Sequence, residues 1–361
     1  MKHLAKKTIF NIQPYIPGRP IEDVKREFGL KEVIKLASNE NPYPPSPKVI
    51  KALTQALQSL NRYPDGGCYE LREVLAKHLK VNPQQLIFGN GSDELIVLAA
   101  RAFLKEGDQV VIAKPSFLIY ELASKIEGAE IREIPLKDFR YDLVKMKAAV
   151  TEKTRIVFLG NPDNPAGSYL TEVQVRDFLK DLSKDILVFI DEAYYEFVNE
   201  KDYVDSIALL KDYPNVIVAR TFSKMYGLAG LRIGYGIASE ELISILNRIR
   251  EPFNVNSLAQ VAALACLKDK AYYGALVKKN NQQREFLYQS FERLNVEFVK
   301  SYTNFILINL KKDSRETTQK LLKKGIIVRD MNGWGLKNFI RITIGTETEN
   351  KKFLKALEEL L

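Results

Sequence analysis

The sequence predicts an α/β protein: a large domain with a mostly parallel sheet covered by helices, a smaller α/β domain, and an N-terminal arm. Three observations predict it. Short apolar runs without polar alternation recur along the chain, as expected of strands buried on both faces. Amphipathic stretches with apolar residues at i, i+3 and i+4 fall between them. After about residue 260 the rhythm changes, and a long helical stretch (257–293) precedes a further α/β segment. The expected division is 1–47 for the arm, 48–260 for the large domain and 261–361 for the small domain, with the arm packing on the small domain.

The elements follow in order. The segment SNENPYPPSP (38–47) holds four prolines, which forbid regular helix. VIKALTQALQSL, just after it, has helical apolar spacing. QLIFGNGS (85–92) reads as a strand entering a glycine turn. DELIVLAARAFLKEGD then reads as a helix with Leu95, Leu98, Ala99, Ala102 and Phe103 on one side and Gly107 as its stop signal. Further strands are expected at 109–115, 156–162, 185–193, 215–220 and 232–238, and in the last third near 305–310 and 339–345.

Composition excludes several classes. The 361 residues can bury a large core without staples. The two cysteines, Cys68 and Cys266, form no disulfide framework and no metal-ligand pattern, so no metal is expected. The start of the chain reads neither as a signal peptide nor as a membrane anchor, and a reducing cytoplasm is the expected home. The net charge of +9 fits anionic small molecules or a solvated lysine-rich surface. No zinc-finger spacing or RNP-like aromatic motif argues for nucleic acid.

In open α/β sheets, ligands sit at the carboxyl ends of the strands. The polar residues collect at those ends: Gly91 and Ser92, Pro115 to Phe117, Asn161 to Gly167, Asp191 to Tyr194, and Ser223 with Lys224. Lys224 ends a buried strand, where desolvation lowers an amine's pKa and suits Schiff-base chemistry. Alone it reads as a surface lysine, and its neighbours change that. Thr221, Ser223 and the planar fork of Arg232 make a phosphate cup beside it. Gly91, Ser92 and Asp93 enter a helix whose free N–H groups suit a phosphate, or else form an ordinary N-cap. Asp191 follows four apolar residues, LVFI. It is either a salt-bridging acid or an anion that keeps a heterocyclic nitrogen protonated. Tyr194 and Asn164 can hydrogen-bond a ring oxygen, although NPDNPAG also reads as a plain loop. Together these groups fit pyridoxal 5′-phosphate.

Ten motifs in order extend this reading: QPYIPG (13–18), LASNENPYPP (36–45), RYPDGG (62–67), GNGSDE, NPDNPAG, DEAYYEF, TFSKMYGLAGLRIGY, EPFNVN, VRDMNGWG and FIRITIG. On these the chain resembles the fold-type I, aspartate-aminotransferase-like enzymes over nearly its full length, and within them the histidinol-phosphate aminotransferases. The resemblance implies that Lys224 bonds the cofactor and moves the Cα proton. It implies that Asp191 pairs with the ring nitrogen, and that Tyr194 and Asn164 bind the ring oxygen. Phe117, where the family more often has tyrosine, stacks on the ring. Gly91, Ser92, Asp93, Ser223 and Arg232 hold the phosphate, with Thr221 beside them. Tyr63 reaches the phosphate of the other subunit, so a homodimer is implied. Arg341 takes a carboxylate, and Arg329 and Tyr15 bind the substrate phosphate or distal carboxylate. Without the resemblance, the two arginines read equally as surface ion-pair residues. Ala166 stands where the family usually has threonine, which removes a hydroxyl near the ring.

The implied reaction interconverts histidinol phosphate and 2-oxoglutarate with imidazole-acetol phosphate and glutamate. An aromatic amino-acid aminotransferase, a threonine-phosphate decarboxylase and a catalytically silent binding protein remain alternatives on the same scaffold. Nucleic-acid and membrane partners are not expected.

Overall fold

A computed structural model describes residues 2–14 and 18–361. Its twelve strands form two sheets. The larger contains β2 (Leu86–Gly89), β3 (Gln109–Lys114), β4 (Glu130–Pro135), β5 (Thr154–Gly160), β6 (Leu187–Asp191), β7 (Val216–Thr221) and β8 (Gly234–Ala238). Their order is β2-β8-β7-β6-β5-β3-β4, and β6 lies at the centre. Strands β4, β3, β5, β6 and β7 are parallel, and β8 alone runs against its neighbours. The smaller sheet contains β1 (Ile34–Leu36), β9 (Glu297–Val299), β10 (Phe305–Asn309), β11 (Ile326–Asp330) and β12 (Phe339–Thr343), in the order β1-β11-β12-β10-β9.

The apolar runs behave as expected of doubly covered strands. Successive side chains point to opposite faces. Val188 and Ile190 pack into one core with Val157, Leu159, Val216 and Val218. Leu187 and Phe189 pack into another with Ile156, Phe158, Ile217 and Ala219. A third core fills the smaller sheet around Phe291, Ile306, Ile308, Ile340 and Phe353.

Several bounds differ from the sequence expectation. The helix after β2 is Ser92–Phe103 and ends on Phe103, not at Gly107. Gly107 instead takes φ +85° in the turn before β3. The stretch 257–293 is two helices, Ser257–Leu267 and Lys270–Arg293. The last of the four prolines, Pro47, is the first residue of the helix Pro47–Ala56, where it is tolerated and where Ser46 caps Val49 N. Arg232 lies outside β8, in a left-handed turn with φ 57°. Strand β4, EIREIP, is half-exposed and polar, and occupies the edge of the larger sheet. Its composition hides it from a search for apolar runs.

Residues of the arm contribute β1, which pairs in parallel with β11, Ile34 opposite Ile326 and Leu36 opposite Val328. No helix among the described residues is long and apolar enough to cross a membrane.

Immediately beyond β6, Glu192 meets Arg220 of β7 at 2.8 Å, with side chains 0% and 8% exposed. Tyr203 donates to the other Glu192 oxygen at 3.3 Å, and the Arg220 guanidinium lies 3.6 Å from the Tyr195 ring centroid. This pair is buried and partnered, so removing one member strands the other charge. Glu192→Ala is expected to lower unfolding free energy by about 3–5 kcal/mol. Glu192→Gln, which keeps the shape, is expected to cost less. Urea unfolding of the two variants checks this.

Candidate functional site

The strand ends converge on one cavity of about 290 Å³. Ser92, Asp93, Phe117, Asn164, Asp191, Tyr194, Thr221, Ser223, Lys224, Arg232, Arg329 and Arg341 all line it. The reversal of β8 explains how Arg232 joins them. Gly234, the first residue of β8, pairs with Gly89 at the end of β2 and with Thr221 at the end of β7. A Cβ on Gly234 would lie 2.5 Å from Ser92 N, so only glycine lets these backbones meet. The chain just before β8 therefore lies at the same edge as Gly91 and Ser223.

Gly91 does not line the cavity but shapes it. It has φ +82°, and a Cβ there would lie 2.5 Å from Arg232 Nη2. Arg232 reaches Ser223 Oγ at 3.4 Å and Asp93 Oδ2 at 3.3 Å. The helix Ser92–Phe103 starts beside them and directs its first N–H groups outward. This end of the cavity is built for a small anion. Thr221 is committed to the turn: its Oγ1 accepts from Ser223 N–H at 3.1 Å and donates to Ile233 O at 3.4 Å.

Asp191 ends the central strand and is 6% exposed. Tyr120 donates to Oδ2 at 2.7 Å and Ala193 N–H donates to Oδ1 at 3.1 Å. Burial nevertheless pushes its pKa up to about 6, against those two bonds. Lys224 follows β7, and its Nζ donates to Ser38 O of the arm at 3.3 Å. Burial, helped by the positive charge of Arg341, pushes its pKa down to about 8. Tyr194 accepts from Asn39 Nδ2 at 3.0 Å, and burial pushes its hydroxyl up to about 12, so it stays protonated. Phe117 forms a wall, edge-on to Tyr120 with ring centroids 5.6 Å apart.

The far end is supplied by the smaller sheet. Arg329 of β11 and Arg341 of β12 stand directly opposite each other in register. Like charges in that relation weaken a sheet, so a pair of cations facing a cavity marks an anion site. Arg341 bonds Asn164 Oδ1, and it donates to Ala37 O at 3.2 Å.

Three further residues named from the sequence complete the account. Tyr63 is outside the cavity, 83% exposed and stacked on Phe253 with centroids 4.9 Å apart. Tyr15 lies outside the described residues. Ala166 is fully buried within its loop and does not line the cavity, so the missing hydroxyl changes the loop interior, not the wall. The sequence reading missed Tyr120, Asn39, Ser38 and Trp334. Tyr120 had a signal, because Phe117 and Tyr120 are spaced i, i+3 and share a face where a helix begins. The others come from segments without regular periodicity.

Comparison with known proteins fits this geometry. The model of the family "aminotransferase class I and II" matches residues 31–357. The chain belongs to that family. Two relatives are named histidinol-phosphate aminotransferase. The one from Brevibacillus brevis is 50% identical, covering 99% of this chain and 98% of its own. The one from Moorella thermoacetica is 47% identical, covering 99% and 93%. A solved histidinol-phosphate aminotransferase from Sinorhizobium meliloti, in complex with pyridoxal 5′-phosphate, superimposes with TM-score 0.91 at 30% identity. It covers 98% of this chain and 97% of its own. The fold is thus that of the fold-type I aminotransferases, as the motif resemblance implied.

The amine chemistry is directly testable. Lys224 in the ligand-free protein is expected to acylate with a midpoint at pH about 8, against roughly 10.4 for an ordinary lysine. Arg341→Ala is expected to raise that midpoint. Because the folded state disfavours the charged amine, the unfolded chain binds more protons in this window. Lys224 thus weakens the fold below pH about 8, and the penalty is relieved as pH rises toward its unfolded value. Mass-spectrometric labelling against pH checks the midpoints.

Proposed function

We propose that the chain is a pyridoxal 5′-phosphate-dependent transaminase of histidine biosynthesis. It interconverts histidinol phosphate and 2-oxoglutarate with imidazole-acetol phosphate and glutamate. The observation that carries this is a depressed lysine and a buried carboxylate facing one cavity, between an anion cradle and a cross-strand arginine pair. The names of relatives about half identical over their whole length support the substrate.

The donor set fits the cofactor. Arg232, Ser223, Ser92, Asp93 and the backbone at Gly91 would hold its phosphate, Asp191 its ring nitrogen, and Tyr194 with Asn164 its ring oxygen. When bound, it supplies an electron sink that acidifies the substrate Cα–H and carries the amino group between half-reactions. Asp191 would hold a proton on the ring nitrogen, its carboxylate ionised beside that cation. Tyr120 and Ala193 N–H fix that carboxylate's direction. Lys224 takes the Cα proton and returns it, and its depressed pKa puts the neutral amine within reach near neutrality. Phe117 would stack on the ring and exclude water from that side. Arg341 binds the co-substrate carboxylate, and Arg329 with Tyr15 binds the substrate phosphate or the distal carboxylate.

The working unit we propose is a homodimer, in which exposed Tyr63 of one copy reaches the phosphate site of the other. Residues 1–47 form an arm, 48–260 the large domain and 261–361 the small domain. The two free, buried cysteines suit a reducing cytoplasm.

Lys224→Ala is expected to cut kcat by ~10³-fold or more, with far-ultraviolet circular dichroism unchanged. Histidinol phosphate added to the cofactor-loaded protein is expected to bleach its visible absorbance band at lower concentration than phenylalanine does. Bleaching only by phenylalanine would point to an aromatic aminotransferase. Carbon dioxide release from threonine phosphate would point to a decarboxylase. Failure to take up the cofactor would sink the enzymatic reading.

A further inference from the structure

The chain has a single tryptophan, Trp334, and it lines the cavity. It sits on a short turn, Asn332–Trp334, between β11 and β12. Two contacts of different kinds meet on its indole. The Arg329 guanidinium carbon lies 4.8 Å from the ring centroid. The indole N–H donates to Ser116 O at 3.1 Å. Ser116 immediately precedes Phe117, the aromatic wall of the larger sheet's cavity. One side chain therefore touches both the rim cation of the smaller sheet and the loop that carries the wall.

The turn that presents Trp334 is itself fixed. Asp330 Oδ1 accepts from Ser314 Oγ at 2.6 Å and from Asn332 Nδ2 at 2.7 Å. Asn332 Nδ2 also donates to Ser314 Oγ at 3.0 Å, and Gly335 closes the turn with φ 79°. On another side Arg329 meets the arm: a Cβ on Gly18 would lie 3.8 Å from its Nη1. The rim cation is thus held in place although Arg341 faces it across the strands. Stacking fixes the plane of the guanidinium and so the direction of its N–H donors.

We propose that Trp334 is a positioning residue for the substrate's anionic end. It stacks on Arg329 to aim the guanidinium at a phosphate or carboxylate, and its N–H ties that cation to the Ser116–Phe117 loop. This rests on the transaminase reading for its substrate, but the stacking and the donor bond do not. Being the only tryptophan, Trp334 also reports on its own role through indole emission.

The test uses the cofactor-loaded protein. Inorganic phosphate is expected to change the indole emission saturably, and Arg329→Gln is expected to abolish the change while Lys224→Ala keeps it. In steady-state kinetics, Trp334→Ala is expected to raise KM for histidinol phosphate about tenfold, with kcat within about twofold. Trp334→Phe keeps an aromatic face, and its KM is expected within about threefold of the unchanged protein. An unchanged KM in Trp334→Ala overturns the proposal. So does emission indifferent to phosphate, or an equal loss in both variants accompanied by a lower melting temperature, which marks a purely structural link. A phosphate response lost in Arg329→Gln, in a protein that transaminates nothing, leaves the anion clamp standing and removes the transaminase reading instead.

Discussion

A carboxylate at the end of a strand buried on both faces is the constraint around which this molecule is arranged. Asp191 terminates the central strand of the larger sheet, where water cannot solvate it. Two donors orient it, yet its pKa remains raised to about 6. A raised acid pKa means that ionisation weakens the fold: the weakening grows as pH rises above the unfolded value of roughly 3.9 and is complete once pH has passed about 6. Only a cation placed against the carboxylate reverses that balance. The protein thus carries an unfavourable group whose compensation must come from what it binds. The same logic governs Lys224, an amine held where its charge is unwelcome. Both groups face one cavity, and Arg329 and Arg341, opposed in register, line it too.

The two ends of that cavity have different origins. The anion cradle is made of backbone as much as side chains: a helix start, a left-handed glycine and a strand reversal that brings Arg232 back. Its precision comes from the rigid larger sheet. The arginine end hangs on the smaller sheet and depends on contacts with the arm and with Asn164. A rigid end suits a permanent guest, and an end shared between elements suits one that comes and goes.

Much of this was legible in the sequence. The apolar runs gave away the doubly covered strands, because Val, Ile, Leu and Phe fill both faces of each. Polar residues placed just after those runs marked much of the cavity wall on the side of the larger sheet. The illegible parts share a physical cause. Strand β4 is an edge strand with charged residues, so it lacks the apolar signature of its neighbours. Strands β1 and β9 have three residues each, too few to show a period. Asn39, Ser38 and Trp334 act through loop conformations and through contacts far apart in sequence. Asn39 takes φ 55°, and its backbone N–H donates to Thr343 Oγ1 at 2.9 Å, a relation no local pattern encodes.

That last relation bears on how the molecule comes into being. Among the described residues strand β1 pairs with β11 alone, Ile34 opposite Ile326. Ser38 and Asn39, which follow it directly, touch Lys224 and Tyr194. A ribosome adding about 5–20 residues per second makes β1 roughly 290 residues before its partner strand β11. The larger sheet can close while the arm still waits. Its nearest docking edge does not exist until nearly the whole chain has been made. The wall around the lysine is therefore finished from both chain ends at once, and a nascent chain halted before β11 carries the amine without its enclosure.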